Sequence, residues 1–230
     1  MSFILPLNSA SPVADRPQSL TEQIHERMHE EILMGTWRPG DLVLEPELAN
    51  RYGVSKTPVR EALRLLSQEG WIITMPRKGY LVRPLRLHDI REVFELRLLI
   101  EPGLFVHAAR RGDAGQFASM RALVESEAEQ GETDDSAGSP GREFHLTMAR
   151  MADNSRATGI LIGLLDEVRR LHQIMPGVPT HPPAPDLISE HGRILAAMED
   201  RDADEVHRLV RDHIQASADL VMDAYRLAMG

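Results

Sequence analysis

Three histidines are the residues of this chain best placed to do chemistry. His145 has Met148, Ala149 and Ala152 on its helical face. His191 has Leu187, Ile188, Ile194 and Leu195, and His213 has Leu209, Val210 and Ala216. Spacings of three and four residues set each imidazole on an apolar face. A lone histidine facing a core is usually just hydrogen-bonded. Three on separate helices that a bundle can bring together make a ligand set, because neutral imidazoles suit Zn²⁺, Ni²⁺ and similar ions. The alternative is a polar pocket without metal. Arg97 lies among Val93, Phe94 and Ile100 on an otherwise apolar face. A buried arginine needs an anion. That anion is either Glu101, one turn on, or the carboxylate of a small organic acid gripped by both arms of the guanidinium.

A second group is basic. Lys56, Arg60 and Arg64 stand at i, i+4 and i+8, so they share one face, opposite an apolar stripe of Val59, Ala62, Leu63 and Leu66. Such a face fits the major groove of DNA, where Arg and Lys donate to guanine or to phosphate. Ser55 and Thr57 stand at the start of the same helix, where hydroxyls, amides and the dipole favour phosphate. Ala49, Gly53 and Val59 supply what a helix-turn-helix needs: a small residue at the helix contact, a left-handed turn residue and an apolar anchor. A basic hairpin tip, Arg77, Lys78 and Gly79, follows as a wing for the minor groove. Three basic residues on one face alone would read as a solvated surface. Their combination with turn glycine, anchor and basic tip does not.

The elements that must position these groups divide the chain in two. Ser19 and Glu22 form a capping box, with Leu20, Ile24, Met28 and Ile32 at helical spacing up to Gly35. Pro46 to about Tyr52 reads as a second helix, and Ser55–Thr57 to about Glu69 as the third. WIITM and GYLV read as strands joined by PRKG. Beyond Pro84 the pattern is all-helical, with helices at roughly 87–111, 113–130, 141–153, 155–175, 184–200 and 202–228. The first is kinked or broken at Pro102-Gly103. Residues 131–141 and 176–185 read as loops. The expected organisation is a flexible tail over 1–17, a winged helix-turn-helix over 18–84 and a helical bundle over 85–230. The fold class is mainly α.

Charge follows the same division. The 230 residues carry 26 Lys and Arg against 35 Asp and Glu, net −9. The first 84 residues are neutral, and the remainder carries the whole −9. Residues 51–83 hold seven basic residues against Glu61 and Glu69, net +5. A basic island in an acidic chain is an electrostatic footprint for nucleic acid. There is no Cys, which excludes disulfides, thiolate metal sites and cysteine nucleophiles. No apolar run is long enough to span a membrane. The lack of Cys and of an export signal predicts a cytoplasmic protein.

The run Val54-Ser55-Lys56-Thr57-Pro58-Val59-Arg60-Glu61-Ala62-Leu63 resembles the hallmark of the winged helix-turn-helix of the GntR superfamily of bacterial transcription regulators. The resemblance covers about residues 18–84. It implies DNA contacts by Ser55, Lys56, Thr57 and Arg60, with Gly79 and its neighbours at the wing tip. Many members have Arg within an E-R-E-L run where this chain has Glu45-Pro46-Glu47-Leu48, so one contact is missing. The second domain resembles the all-helical FCD domain of the FadR-like branch. The match lies in Asp89–Glu101 with Arg97 and Glu101, in Phe144-His145 followed by Asn154, and in Glu190-His191, Arg201-Asp202-Ala203 and His213-Ile214. That resemblance implies a homodimer, a small effector, often a carboxylate, and a divalent metal held by Asp-x-x-x-His and two later histidines. Those are His145, His191 and His213, with Gly141 where the family has its Asp.

The leading expectation is therefore a dimeric regulator, not an enzyme, that binds an inverted-repeat DNA operator under control of a small organic acid. A metal-dependent hydrolase using the three histidines is the first alternative. It lacks a well-placed general base, since Glu190 and His191 are neighbours on a helix and diverge by about 100°. A constitutive DNA-binding protein without effector is the second. It leaves the acidic helical domain without a task.

Overall fold

The computed structural model describes residues 18–130, 140–175 and 184–229. The tail over 1–17 and most of the two predicted loops lie outside the described residues. The chain divides between Pro84 and Leu85 into two compact units.

In the first unit, α1 (Leu20–Leu33) opens on the predicted box: Ser19 Oγ accepts from the Glu22 amide at 3.2 Å, and the Glu22 carboxylate accepts from the Ser19 amide at 2.7 Å. It buries Ile24, Met28 and Ile32. After β1 (Leu42–Val43), α2 (Glu45–Tyr52) ends at Gly53 with φ +67°, a left-handed cap that turns the chain into α3 (Lys56–Gln68). Val59, Ala62, Leu63 and Leu66 are buried against this core, as their spacing requires. The wing strands β2 (Ile72–Met75) and β3 (Gly79–Val82) pair antiparallel. The sheet has a third strand: β1 pairs with the other edge of β3, giving the order β1-β3-β2.

The second unit contains, among the described residues, α4 (Leu87–Arg111), α5 (Ala114–Gln130), α6 (Pro140–Met151), α7 (Ser155–Ile174), α8 (Ala184–Glu199) and α9 (Ala203–Met229). The first of these is continuous through Pro102, so the helix is not broken there. Proline removes one backbone hydrogen bond, but Pro102 is itself buried between buried Glu101 and Leu104, so tertiary packing holds the helix through it. A predicted loop is also shorter than expected, because α6 begins at Pro140 and takes Gly141 into its first turn. The core is one apolar cluster that includes Phe94, Phe105, Met120, Phe144, Leu161, Met198, Val210 and Ile214. The helix α4 packs most extensively on α9 and also touches α6, α7 and α8. Arg201 closes its C-terminal end by donating to the carbonyls of Ala109 and Gly112.

Candidate functional site

The long α4 brings Arg97 and Glu101 to the same interior as the three histidines. His145 comes from α6, His191 from α8 and His213 from α9, and each is no more than 3 % exposed. Their ligand atoms all lie within 4.8 Å of one another. The Nε2 atoms of His145 and His213 are 3.3 Å apart. Two imidazole nitrogens on one tetrahedral Zn²⁺ at about 2.0–2.1 Å stand roughly 3.3 Å apart, so this pair has the spacing of a coordination edge.

Two carboxylates fix the rings. Glu101 Oε2 takes the Nδ1–H of His145 at 2.5 Å, and Glu190 Oε2 takes the Nδ1–H of His213 at 2.8 Å. With Nδ1 donating, each neutral ring turns an Nε2 lone pair to the other. Two lone pairs at that distance repel unless a cation, proton or metal, lies between them. Burial pushes the His145 imidazole down to about 4 against the opposing pull of Glu101, so a proton there is disfavoured. His191 stacks on Phe144 with ring centroids 4.2 Å apart. A cleft of about 60 Å³ between α8 and α9, lined by Glu190, Arg193, Arg208, Leu209, Asp212 and His213, touches the His213 side of the group.

Arg97 has found its anion inside the chain. Its Nε donates to Glu101 Oε1 at 2.5 Å, so one carboxylate joins the guanidinium to His145. Burial would raise the Glu101 carboxyl, but the charge of Arg97 and the hydrogen bonds from His145 and Arg97 outweigh it and hold it down at about 2. Gly141 lies one turn before His145 on the same face of α6, so the backbone position of the family's carboxylate is present without its side chain. Glu143 faces elsewhere and pairs with Arg150 at 3.2 Å. The sequence reading missed the role of Glu190, which diverges from its neighbour His191 and serves His213 on the facing helix instead. It also missed Asp166 of α7, buried and accepting from Arg142 at 2.5 Å.

The basic residues of the first unit are arranged as their spacing requires. Ser55, Lys56, Thr57, Arg60 and Arg64 are all exposed. Ser55 occupies the N-cap of α3 without a side-chain bond to the helix. Arg64 pairs with Glu61 at 3.1 Å. Arg60 is held by Glu45, a pairing that the sequence did not suggest, and Glu45 also accepts from Tyr80 Oη at 3.2 Å. The hairpin tip follows the expected strand bounds. Arg77, with φ +64°, and Lys78 form the turn, and Gly79 is the first residue of β3. Its φ of +104° and the approach of β1 explain the glycine: a Cβ there would stand 2.5 Å from the Val43 carbonyl oxygen.

These features coincide with known families. Residues 20–82 match the gntR family of bacterial regulatory proteins, and residues 92–216 match the FCD domain. The chain is a GntR-family transcription regulator with an FCD domain. It is 29 % identical to the Nta operon transcriptional regulator of Aminobacter aminovorans over 84 % of this chain and 90 % of that one. It is 27 % identical to the transcriptional repressor RspR of Escherichia coli over 89 % of this chain and 90 % of the other. The solved structure of McbR/YncC of Escherichia coli superposes on 91 % of this chain and all of that one, with a TM-score of 0.74 at 20 % identity, a likeness of fold. The regulator is accordingly not an enzyme, and among its described residues no helix is long and apolar enough to cross a membrane.

Proposed function

We propose that this regulator binds an inverted-repeat operator as a homodimer and that a divalent metal and a small organic acid control it through the three-histidine centre. The observation that carries the reading is the facing pair of Nε2 atoms of His145 and His213, 3.3 Å apart, each ring backed by its own carboxylate. Three imidazoles with open positions suit Zn²⁺ or Ni²⁺. Such an ion would anchor an effector carboxylate, which would take the coordination position that Gly141 leaves without a side-chain ligand. The chain's own residues do the rest. Glu101 and Glu190 hold the rings, Arg97 holds Glu101, and α4, α6, α8 and α9 are tied at one point. The internal pairing of Arg97 favours the ion over Arg97 as the group that meets the effector. On the DNA side, a two-fold protein sets two copies of α3 on two half-sites.

Elemental analysis and thermal unfolding of the purified full chain with added Zn²⁺ or Ni²⁺ test the metal reading. A bound ion and a raised midpoint, both lost in His191→Ala, support it. A wild-type protein that neither carries nor is stabilised by either ion leaves the alternative, a polar network that rigidifies the bundle without metal.

A further inference from the structure

The exposed guanidinium of Arg60 is not held as a surface arginine usually is. Its Nε reaches Glu45 Oε1 at 3.2 Å and Oε2 at 3.0 Å, and its Nη2 reaches Oε2 at 2.9 Å. The acid is itself braced, since Tyr80 Oη donates to Oε1 at 3.2 Å. Three elements thus meet at one carboxylate: the first residue of α2, the second turn of α3 and the wing strand β3. By contrast Arg64, on the same helical face, is held among the described residues by Glu61 of its own helix, through one bond at 3.1 Å.

We propose that Glu45 is a positioning residue that sets the sequence selectivity of Arg60. The inference rests on α3 being the recognition helix. Guanidinium has five N–H donors in a planar fork. Glu45 occupies the Nε/Nη2 edge, so the Nη1/Nη2 edge is turned outward with its rotamer already chosen. A two-donor edge is what guanine O6 and N7 accept. Holding the fork beforehand removes part of the entropy that a long side chain loses on binding. The carboxylate also has an opposite effect. A fixed negative charge beside a DNA-facing helix repels phosphate, so Glu45 weakens binding to any duplex. Arg60 keeps that charge in place by holding the Glu45 carboxyl below its usual range. The two effects separate a selectivity device from an ordinary ion pair, because losing Glu45 then raises affinity for random DNA and lowers the preference for the right sequence.

The test uses the full chain and a duplex pool randomised at its centre. The enriched duplex is the specific probe and the unselected pool the non-specific one. Glu45→Ala is expected to bind the unselected pool about twofold or more tightly at low salt. Its ratio of specific to non-specific affinity is expected to fall roughly tenfold. Arg60→Ala should lower the same ratio, and the double variant should lose little more than either single one. Tyr80→Phe should show an intermediate loss. If Glu45→Ala fails to fold, Glu45→Gln is read in its place, and loss of the charged fork should still lower the ratio. A ratio unchanged in Glu45→Ala, or in Glu45→Gln, while Arg60→Ala lowers it, overturns the positioning role alone. A ratio unchanged in Arg60→Ala overturns the recognition-helix reading on which it rests.

Discussion

The Glu101 carboxylate stands between Arg97, on its own helix, and His145, 44 residues on, with each contact 2.5 Å long. One buried anion thus serves a buried cation and an imidazole together. Removing it would leave the guanidinium in the core without its charge partner, a defect that costs about 3–5 kcal/mol when one member of a buried pair is deleted. Glu101→Ala is therefore expected to lose that much stability in chemical denaturation, whereas Leu99→Ala on the exposed side of the same helix should change little.

Gly141 occupies the turn before His145 on the same face of α6. Gly141→Asp adds a carboxylate there and removes a helical glycine. It is expected to tighten Zn²⁺ or Ni²⁺ in competition with a chromophoric chelator, by roughly 10-fold or more. Effector and metal should raise each other's affinity by the same factor in the parent, because coupling between two binding events is reciprocal. That coupling should shrink in the variant, as calorimetric titrations with and without metal would record.

Arg60→Ala is expected to cost about 1–3 kcal/mol of specific binding if the side chain reads a base. The affinity of the parent should fall steeply with salt, since exposed Lys56, Arg60, Arg64, Arg77 and Lys78 displace counterions. Titrations of operator at several salt concentrations give both numbers. A flat salt dependence would move the contact surface away from α3 and the wing.

His25 of α1 contacts Glu69 at the end of α3 at 2.9 Å. The hydrogen bond to Glu69 raises the His25 pKa above 6.5, against the opposing effect of burial. A raised folded-state value means that the folded state binds the proton more tightly than the unfolded one. The pair's contribution is fully present below pH 6.5 and fades as pH rises through the raised value. The stability difference between the parent and Glu69→Gln should follow that course in urea denaturation across the range.

Gly79 combines a left-handed φ of +104° with a backbone neighbour 2.5 Å from any added Cβ. Gly79→Ala must strain the turn and push β1 from β3, at a cost of about 1–3 kcal/mol for the backbone alone. A lowered unfolding midpoint with weakened DNA binding is expected. Gly103→Ala, inside α4 where a Cβ meets nothing within 4 Å, is the contrasting case and should stabilise by about 0.5–1 kcal/mol.

The parts legible in the sequence were those that local geometry decides. The Ser19 capping box, the Gly53 turn, the apolar and basic faces of α3 and the inward direction of His145, His191 and His213 all follow from helical spacing within a few residues. Spacing also limited the anions available to Arg97, and the nearer one, Glu101, took it. Tertiary structure decided the pairings between elements, because no periodicity relates residues dozens of positions apart. It set Glu101 behind His145, Glu190 behind His213 rather than beside His191, Glu45 on Arg60, and β1 on the far edge of β3. It also kept α4 continuous through Pro102, where burial on a well-packed core outweighed the one hydrogen bond that proline removes.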